Sequence, residues 1–502
     1  MTAVEPATSV LVPPGDLAGA VTARVAGGGR FAGLVAFAAP RGAVTLRALV
    51  AVPGRLDVLA ADLPAGEWRY PALTPRVPAA SWYEREIHDL FGLEAAGHPR
   101  LDPLVFPTAG AEDGTAGLSP GRPDGPEAVD FDPSPLPGHV AGEGVFTIPY
   151  GPVRSGVFES VEYLVETYGE DIPHLRVRVY PKHRGVARRF AGLSFDDGVL
   201  LAERVEGTAP MAHASAFCQA LESLAGVEPP ARAQLLRVVH AELERVGNHL
   251  DSVIRHTEGA GQAVAYARMS LHKERVLRLQ GELCGHRFGR GVVVPGGVAS
   301  GPRCPVPPLL GRIEALQDAV AGDARTLMGT PSFVDRLHGT GVLTPELVAG
   351  HGGLGPLGRA SGLAEDIRAS RPYGAYLRLG FAPVDARVEG DAQARQQVRL
   401  DEIEASFGLA REALDLLADE PEGPWRAPVE GVDGVAAGSV ESPQGELIYL
   451  VEARDGRVVQ AKGRCAAFHN LALFPNAFGG DIFTDFVFIE ASFGLSVAGA
   501  AG

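Results

Sequence analysis

Glu242, Arg245 and His249 recur at spacings of three and four. The apolar residues Leu235, Val239, Leu243, Val246, Leu250 and Val253 follow the same period around them. This pattern predicts a helix over 231–256 with one apolar stripe, and it puts the charged trio on one face. Such a trio supports two readings, a path for protons or an intrahelical salt-bridge stripe. Asp366 with Arg368, and Asp391 with Arg395, are expected to form buried or interfacial ion pairs. His213 reads as a satisfied core histidine. The four cysteines, Cys218, Cys284, Cys304 and Cys465, form no C-x-x-C pair. That excludes a zinc ribbon, a disulfide framework and a self-contained iron–sulfur cluster, and leaves buried or unreactive thiols. Near the N-terminus Glu84, Arg85, Glu86, His88 and Asp89 crowd beside Trp82, Tyr83 and Phe91. They suit either an inter-subunit ion-pair network or a solvated helix face.

The elements that must position these groups fall into two blocks. A chain of 502 residues, 46% hydrophobic and 21% charged, has room for more than one domain with a sizeable core. Residues 20–60 read as strands and turns, and a compact segment follows at 74–99. A Gly/Pro-rich acidic stretch, 108–144, carries too little apolar surface to offset ordering and reads as a linker. Beyond it, 145–502 opens with strands and turns helical over 212–225, 231–256, 265–287, 308–328 and 393–418, then returns to short strands over 437–470. The expected fold is α+β, with a small N-terminal α/β domain over 1–107 and a large, mainly helical-bundle domain with peripheral short β-strands. A formal charge of −16 argues against nucleic acid as a partner and against direct adsorption to an anionic membrane. There is no signal-peptide pattern and no apolar stretch of about 18 residues, so the expected location is cytoplasmic.

Two stretches carry a family resemblance. The run Thr74-Pro75, Val77-Pro78-Ala79-Ala80, Trp82 to Leu93 and Gly97-His98-Pro99 resembles the signature of the complex I C subunit. The second block resembles the complex I D subunit and the large subunit of energy-converting (group 4) NiFe hydrogenases. The resemblance rests on Ile148-Pro149-Tyr150-Gly151-Pro152, His183-Arg184-Gly185, Glu203-Arg204-Val205 and Glu242 to Leu250. It continues through Gly285-His286-Arg287, Arg359-Ala360-Ser361-Gly362, Gly390-Asp391 and Glu441 to Glu446, in that order. The same two regions occur fused in hydrogenase-4 and formate-hydrogenlyase-like enzymes.

The resemblance also locates a site. Hydrogenases of the family hold nickel and iron with two C-x-x-C pairs, because soft thiolates bind low-valent metal and bridge two ions. Those positions fall here on Glu206 and Ala209, and on Ser492 and Leu495. The arginine that contacts the iron's diatomic ligands in hydrogenases is Gln444 here. In the complex I branch the quinone-binding histidine and tyrosine fall on Phe158 and Gly207. The expectation is therefore no NiFe centre, no metal and no cofactor bound by this chain itself, with a quinone as a candidate ligand. Glu206, a carboxylate expected to be desolvated with a raised pKa, is either the candidate proton relay or a capping or ion-paired structural acid; His183 and Arg184 either shape the cavity wall or end a strand. The trio Glu242, Arg245 and His249 becomes a candidate path toward membrane partners. By resemblance the partners are a small iron–sulfur subunit with a 4Fe–4S cluster, antiporter-like subunits and other membrane subunits, placing the chain peripherally on the cytoplasmic side. Two functions follow. One is a subunit that couples electron transfer to ion translocation in a complex I-like (NADH–quinone oxidoreductase) or hydrogenase-related assembly. The other is a non-catalytic scaffold that transmits conformational change.

Overall fold

The computed structural model describes residues 9–105, 140, 144–154 and 159–502. Four strands, β1 (Ser9–Leu11), β2 (Arg30–Ala38), β3 (Val44–Val52) and β4 (Arg55–Leu63), form a sheet in the order β1-β4-β3-β2. Its pairings are antiparallel except β1 with β4. Helix α1 (Leu17–Ala26) lies on this sheet through the buried Leu17, Ala18 and Val21. Residues 20–26 are thus helical rather than part of the expected run of strands. Leu17 and Val21, one turn apart, bury one face, and Gly27-Gly28-Gly29 marks the stop.

Helix α2 (Ser81–Phe91) carries the dense charges of the N-terminal motif and turns several of them inward. Glu84 is fully buried and accepts from Leu73 N (2.7 Å), Thr74 N (3.1 Å) and Thr74 Oγ1 (2.5 Å). Arg85 donates to the carbonyls of Asp102 and Pro103, and Asp89 accepts from Leu104 N and Val105 N. The motif therefore ties down its own neighbourhood, and the solvated-face reading fails because the backbone groups it serves are internal.

The larger block begins with an antiparallel sheet of β5 (Phe146–Tyr150), β6 (Glu162–Thr167) and β7 (His174–Arg178). The long helices are α3 (Pro210–Ala225), α4 (Ala231–Gly259), α5 (Ala263–Cys284), α6 (Val306–Met328) and α7 (Ala392–Asp419). α4 is central and packs on α5 and α7, as its apolar stripe requires. A second antiparallel sheet, β8 (Gly434–Ser442), β9 (Gly445–Arg454) and β10 (Arg457–Arg464), lies against α3. The strand reading over 437–470 stops at Arg464, because α8 (Ala466–Leu471) starts there with Cys465 Sγ accepting from Phe468 N. α9 (Phe486–Phe493) and α10 (Val497–Ala501) close the chain. The architecture is the expected α+β one. The predicted linker lies almost wholly outside the described residues, as does Phe158. Among the described residues no helix is long and apolar enough to cross a membrane.

The first sheet and the later blocks meet directly. Gln460 exchanges two bonds with the backbone of Ala38 (2.9 and 2.7 Å), and Lys462 pairs with Glu86 at 2.6 Å. Arg30, Arg371 and Arg464 converge on the carboxylate of Glu446, and Tyr83 Oη bonds His469 Nδ1 at 2.9 Å.

Candidate functional site

Glu206 sits on the turn that leads into α3 and is 1% exposed. Its Oε1 accepts from Thr208 Oγ1 (2.7 Å) and Gln444 Nε2 (2.8 Å), and Oε2 faces His213 Nε2 at 3.4 Å. Ala209, the residue before α3, has no side chain with which to cap it. Glu244 of α4 does so instead, accepting from Met211 N (2.7 Å) and Ala212 N (3.1 Å). Burial, with the Glu206 charge adding, pushes the Glu244 carboxyl up to about 8.

Thr208 and Gln444 form one wall of a cleft with a cavity volume of about 60 Å³. Phe493, Gly494, Leu495, Ser496 and Val497 form another, and Asn248, Asp251, Ser252 and Arg255 of α4 a third. The charges here are internally paired. Arg154 holds Glu490 through two bonds of 2.8 Å and lies over the rings of Tyr150 and Tyr163. Asp251 takes Lys273 (2.5 Å) and Arg255 (3.1 Å), while Glu159 accepts from Ala498 N at 2.6 Å. Of the positions that the resemblance assigns to metal, Leu495 lines this cleft, whereas Glu206, Ala209 and Ser492 are buried and do not; Glu206 meets the cleft through its bonds to Thr208 and Gln444.

Their chemistry does not fit nickel and iron. Ala209 and Leu495 carry no donor atom, and Ser492 Oγ is engaged with Ile489 O (2.7 Å) and Arg395 Nε (2.9 Å). Glu206 is the one anionic oxygen donor of the four, and Thr208 and Gln444 already occupy it. Among the described residues no group of three His, Cys, Asp or Glu is arranged to hold a metal ion. Low-valent nickel and iron call for a set of soft thiolates, which these positions lack. Arg395 also donates to Gly390 O and Gly341 O, so all three of these bonds go to neutral acceptors. Burial and the Arg399 charge push it down to about 9. The expected Asp391–Arg395 pair does not form. Asp391 turns back to cap α7 at Ala394 N (2.7 Å) and to take Gly339 N (2.8 Å).

The trio on α4 joins something larger than a stripe. Glu242 pairs with Arg245 (3.1 Å) and with Arg368 (3.0 Å), and Arg368 holds Asp366 at 2.7 Å as expected. Arg359 reaches Glu402, Glu441 and Asp366 at 2.8, 3.2 and 3.4 Å, and His249 Nε2 bonds Glu402 at 2.8 Å. Tyr376 and Ser406 hydroxyls also donate to Glu242. Burial pushes His249 down to about 4, so the imidazole is neutral at pH 7. Burial and the nearby Asp366 charge push Glu441 up to about 7. Sequence reasoning misses Glu441 and Glu244 as titrating groups. Their shifts come from what surrounds them, and no spacing reports that.

His183 and Arg184 do not line the cleft. His183 Nδ1 bonds Ala501 O at 2.6 Å, and Arg184 donates to Ala498 O (3.0 Å) and, from its backbone, to Gly502 O (2.8 Å). They anchor α10, whose Val497 forms cleft wall.

Comparison with known proteins agrees with this arrangement. Residues 34–124 match the family described as respiratory-chain NADH dehydrogenase, 30 Kd subunit, and residues 260–431 match the 49 Kd subunit. The chain is 28% identical to formate hydrogenlyase subunit 5 of Escherichia coli, over 81% of this chain and 72% of that one. It is 30% identical to the alpha subunit of the membrane-bound hydrogenase of Pyrococcus furiosus, over 69% and 84%. The fused C/D subunit of NADH-quinone oxidoreductase from Bacteroides fragilis is 27% identical over 76% of each chain. With the two regions in the C-then-D order, this chain belongs to the complex I 30 kDa/49 kDa subunit family that includes the large subunits of membrane-bound hydrogenases.

Proposed function

We propose that this chain is a peripheral, cytoplasmic-face subunit of a membrane-bound oxidoreductase that couples electron transfer to ion translocation without a NiFe centre of its own. The observation that carries the reading is the content of the former metal positions: a carboxylate bound by Thr208 and Gln444, two side chains without donors, and a serine engaged by Arg395. The names of the relatives, subunits of NADH-quinone oxidoreductase and of membrane-bound hydrogenase, support an assembly with membrane subunits. Within it the chain packs on a small subunit holding a 4Fe–4S cluster, next to antiporter-like and other membrane proteins. Electrons from that cluster go to an acceptor in the cleft, and Glu206 supplies a proton through Thr208. A quinone headgroup is the first acceptor to test.

The test is turnover of the purified complex with reduced methyl viologen as donor and menadione as acceptor. Glu206→Gln keeps the shape and removes the acid, so turnover is expected to fall about 10²-fold with assembly unchanged. Unchanged turnover would remove the relay.

A second reading, a scaffold that transmits conformational change, is favoured by the closed ion-pair cluster around Glu242 and Arg359, with His249 neutral. It predicts no turnover in the wild-type complex with any acceptor.

A further inference from the structure

We infer that His213 and Tyr449 are positioning residues that hold Glu206 with one oxygen turned to the cleft-lining Thr208 and Gln444. This rests on the reading of Glu206 given above and adds to it two residues from the core. Tyr449 Oη lies 2.9 Å from His213 Nδ1, and His213 Nε2 lies 3.4 Å from Glu206 Oε2. All three residues are buried, each 1% exposed. With Glu206 as the acceptor, Nε2 carries the hydrogen, and Nδ1 takes the tyrosine hydroxyl. The chain therefore runs in one direction, Tyr449 to His213 to Glu206. It leaves Oε1 to Thr208 and Gln444, both cleft-lining.

Two glycines make room for this arrangement. Tyr449 on β9 faces Gly463 on β10, where an added Cβ would strike its ring at 2.8 Å. At Gly499 a Cβ would lie 2.7 Å from Glu206 Oε2 and 3.1 Å from Cys465 Sγ. Real Cβ atoms essentially never show contacts of 2.7 or 2.8 Å. The Tyr449 ring is fixed by edge contacts with Phe217 (5.8 Å, 90°) and Phe190 (6.2 Å, 76°), so its hydroxyl has little freedom to turn away. A satisfied core histidine needs any two partners. This one has a rigid donor on one nitrogen and the Glu206 carboxylate on the other.

The experiment uses the intact complex with reduced methyl viologen and menadione, separating kcat from KM in Tyr449→Phe, His213→Leu and His213→Gln. Positioning predicts a kcat about 10-fold lower in Tyr449→Phe and about 10²-fold lower in His213→Leu, with KM unchanged, because a displacement of about 1 Å at a reacting group costs that much. His213→Gln offers an N–H to Glu206 and a carbonyl to Tyr449, and is expected to recover most of the rate. Tyr449→Phe removes one oxygen and keeps the core filled, so it stays informative if His213→Leu fails to fold. Full turnover in both Tyr449→Phe and His213→Leu, beside a slow Glu206→Gln, would overturn this inference alone. A Glu206→Gln variant at wild-type rate, or a wild-type complex without turnover, would remove the reading it rests on as well.

Discussion

Glu446→Gln is expected to destabilise the purified chain by about 3–5 kcal/mol, the cost of stripping the partner from buried charge. The Glu446 carboxylate is 1% exposed and takes Arg30 and Arg464 guanidinium nitrogens at 2.7 Å each, with Arg371 on its other oxygen. Burial alone would raise its pKa, but Arg371, Arg30 and Arg464 outweigh burial and hold it well below the usual carboxylate range. Neutralising it leaves three guanidiniums short of one anion in a dry site. Arg30 keeps Glu365 at 2.7 Å, whereas Arg464 keeps the neutral Glu446 carbonyl at 2.7 Å. The loss should therefore fall on Arg464 and Arg371, and pairing Glu446→Gln with Arg464→Met should return part of it. Denaturant titration measures this. A change under about 1 kcal/mol, the size of an exposed pair, would mean that water reaches the site.

The second large effect depends on pH. His469 has both nitrogens engaged as a neutral ring: Tyr83 Oη donates to Nδ1 at 2.9 Å, and Nε2–H donates to His351 O at 2.7 Å. Burial, then the Arg464 and Arg30 charges, push it down to about 3. In the unfolded chain the imidazole titrates near 6.5. Its contribution is thus fully present above pH ~6.5 and is lost as pH falls toward 3, because the unfolded state binds the proton first. At pH 5 that amounts to about 2 kcal/mol. Buried acids with raised pKa values, Glu244 and Glu441, act in the opposite sense over part of this range. For that reason the clean readout is the difference between wild type and His469→Gln. The variant is expected to be less stable at pH 7, and the gap should narrow by about 2 kcal/mol at pH 5. A gap independent of pH would mean that His469 is solvated or already charged.

Both effects sit where the first sheet meets the second block. This contact is the least legible feature of the sequence. Arg30 and Glu446 are 416 positions apart, and no period or spacing links them. Local patterns carry more. The stripe from Leu235 to Val253 locates α4 to within three residues of its end, because a helix against a core shows its period in the apolar residues. α1 escapes because its buried face is one turn long and runs into three glycines. Among candidate site residues read from the family order, Leu495 lines the cleft, while Glu206, Ala209 and Ser492 are buried. Their engagement with Gln444, Thr208 and Arg395 is not legible, since it depends on side chains brought from distant segments. His213 is the buried, satisfied histidine that its surroundings in the sequence suggest. What it satisfies, Tyr449 on one side and Glu206 on the other, needs the β9 register.

We propose that the positions which hold nickel in the family's hydrogenases carry a hydrogen-bonded carboxylate here in place of the metal. Elemental analysis of the intact complex, purified from cells grown with ample nickel, tests it most directly. Nickel is expected at background, while iron from the cluster proposed for the partner subunit is present. One nickel per chain would contradict it.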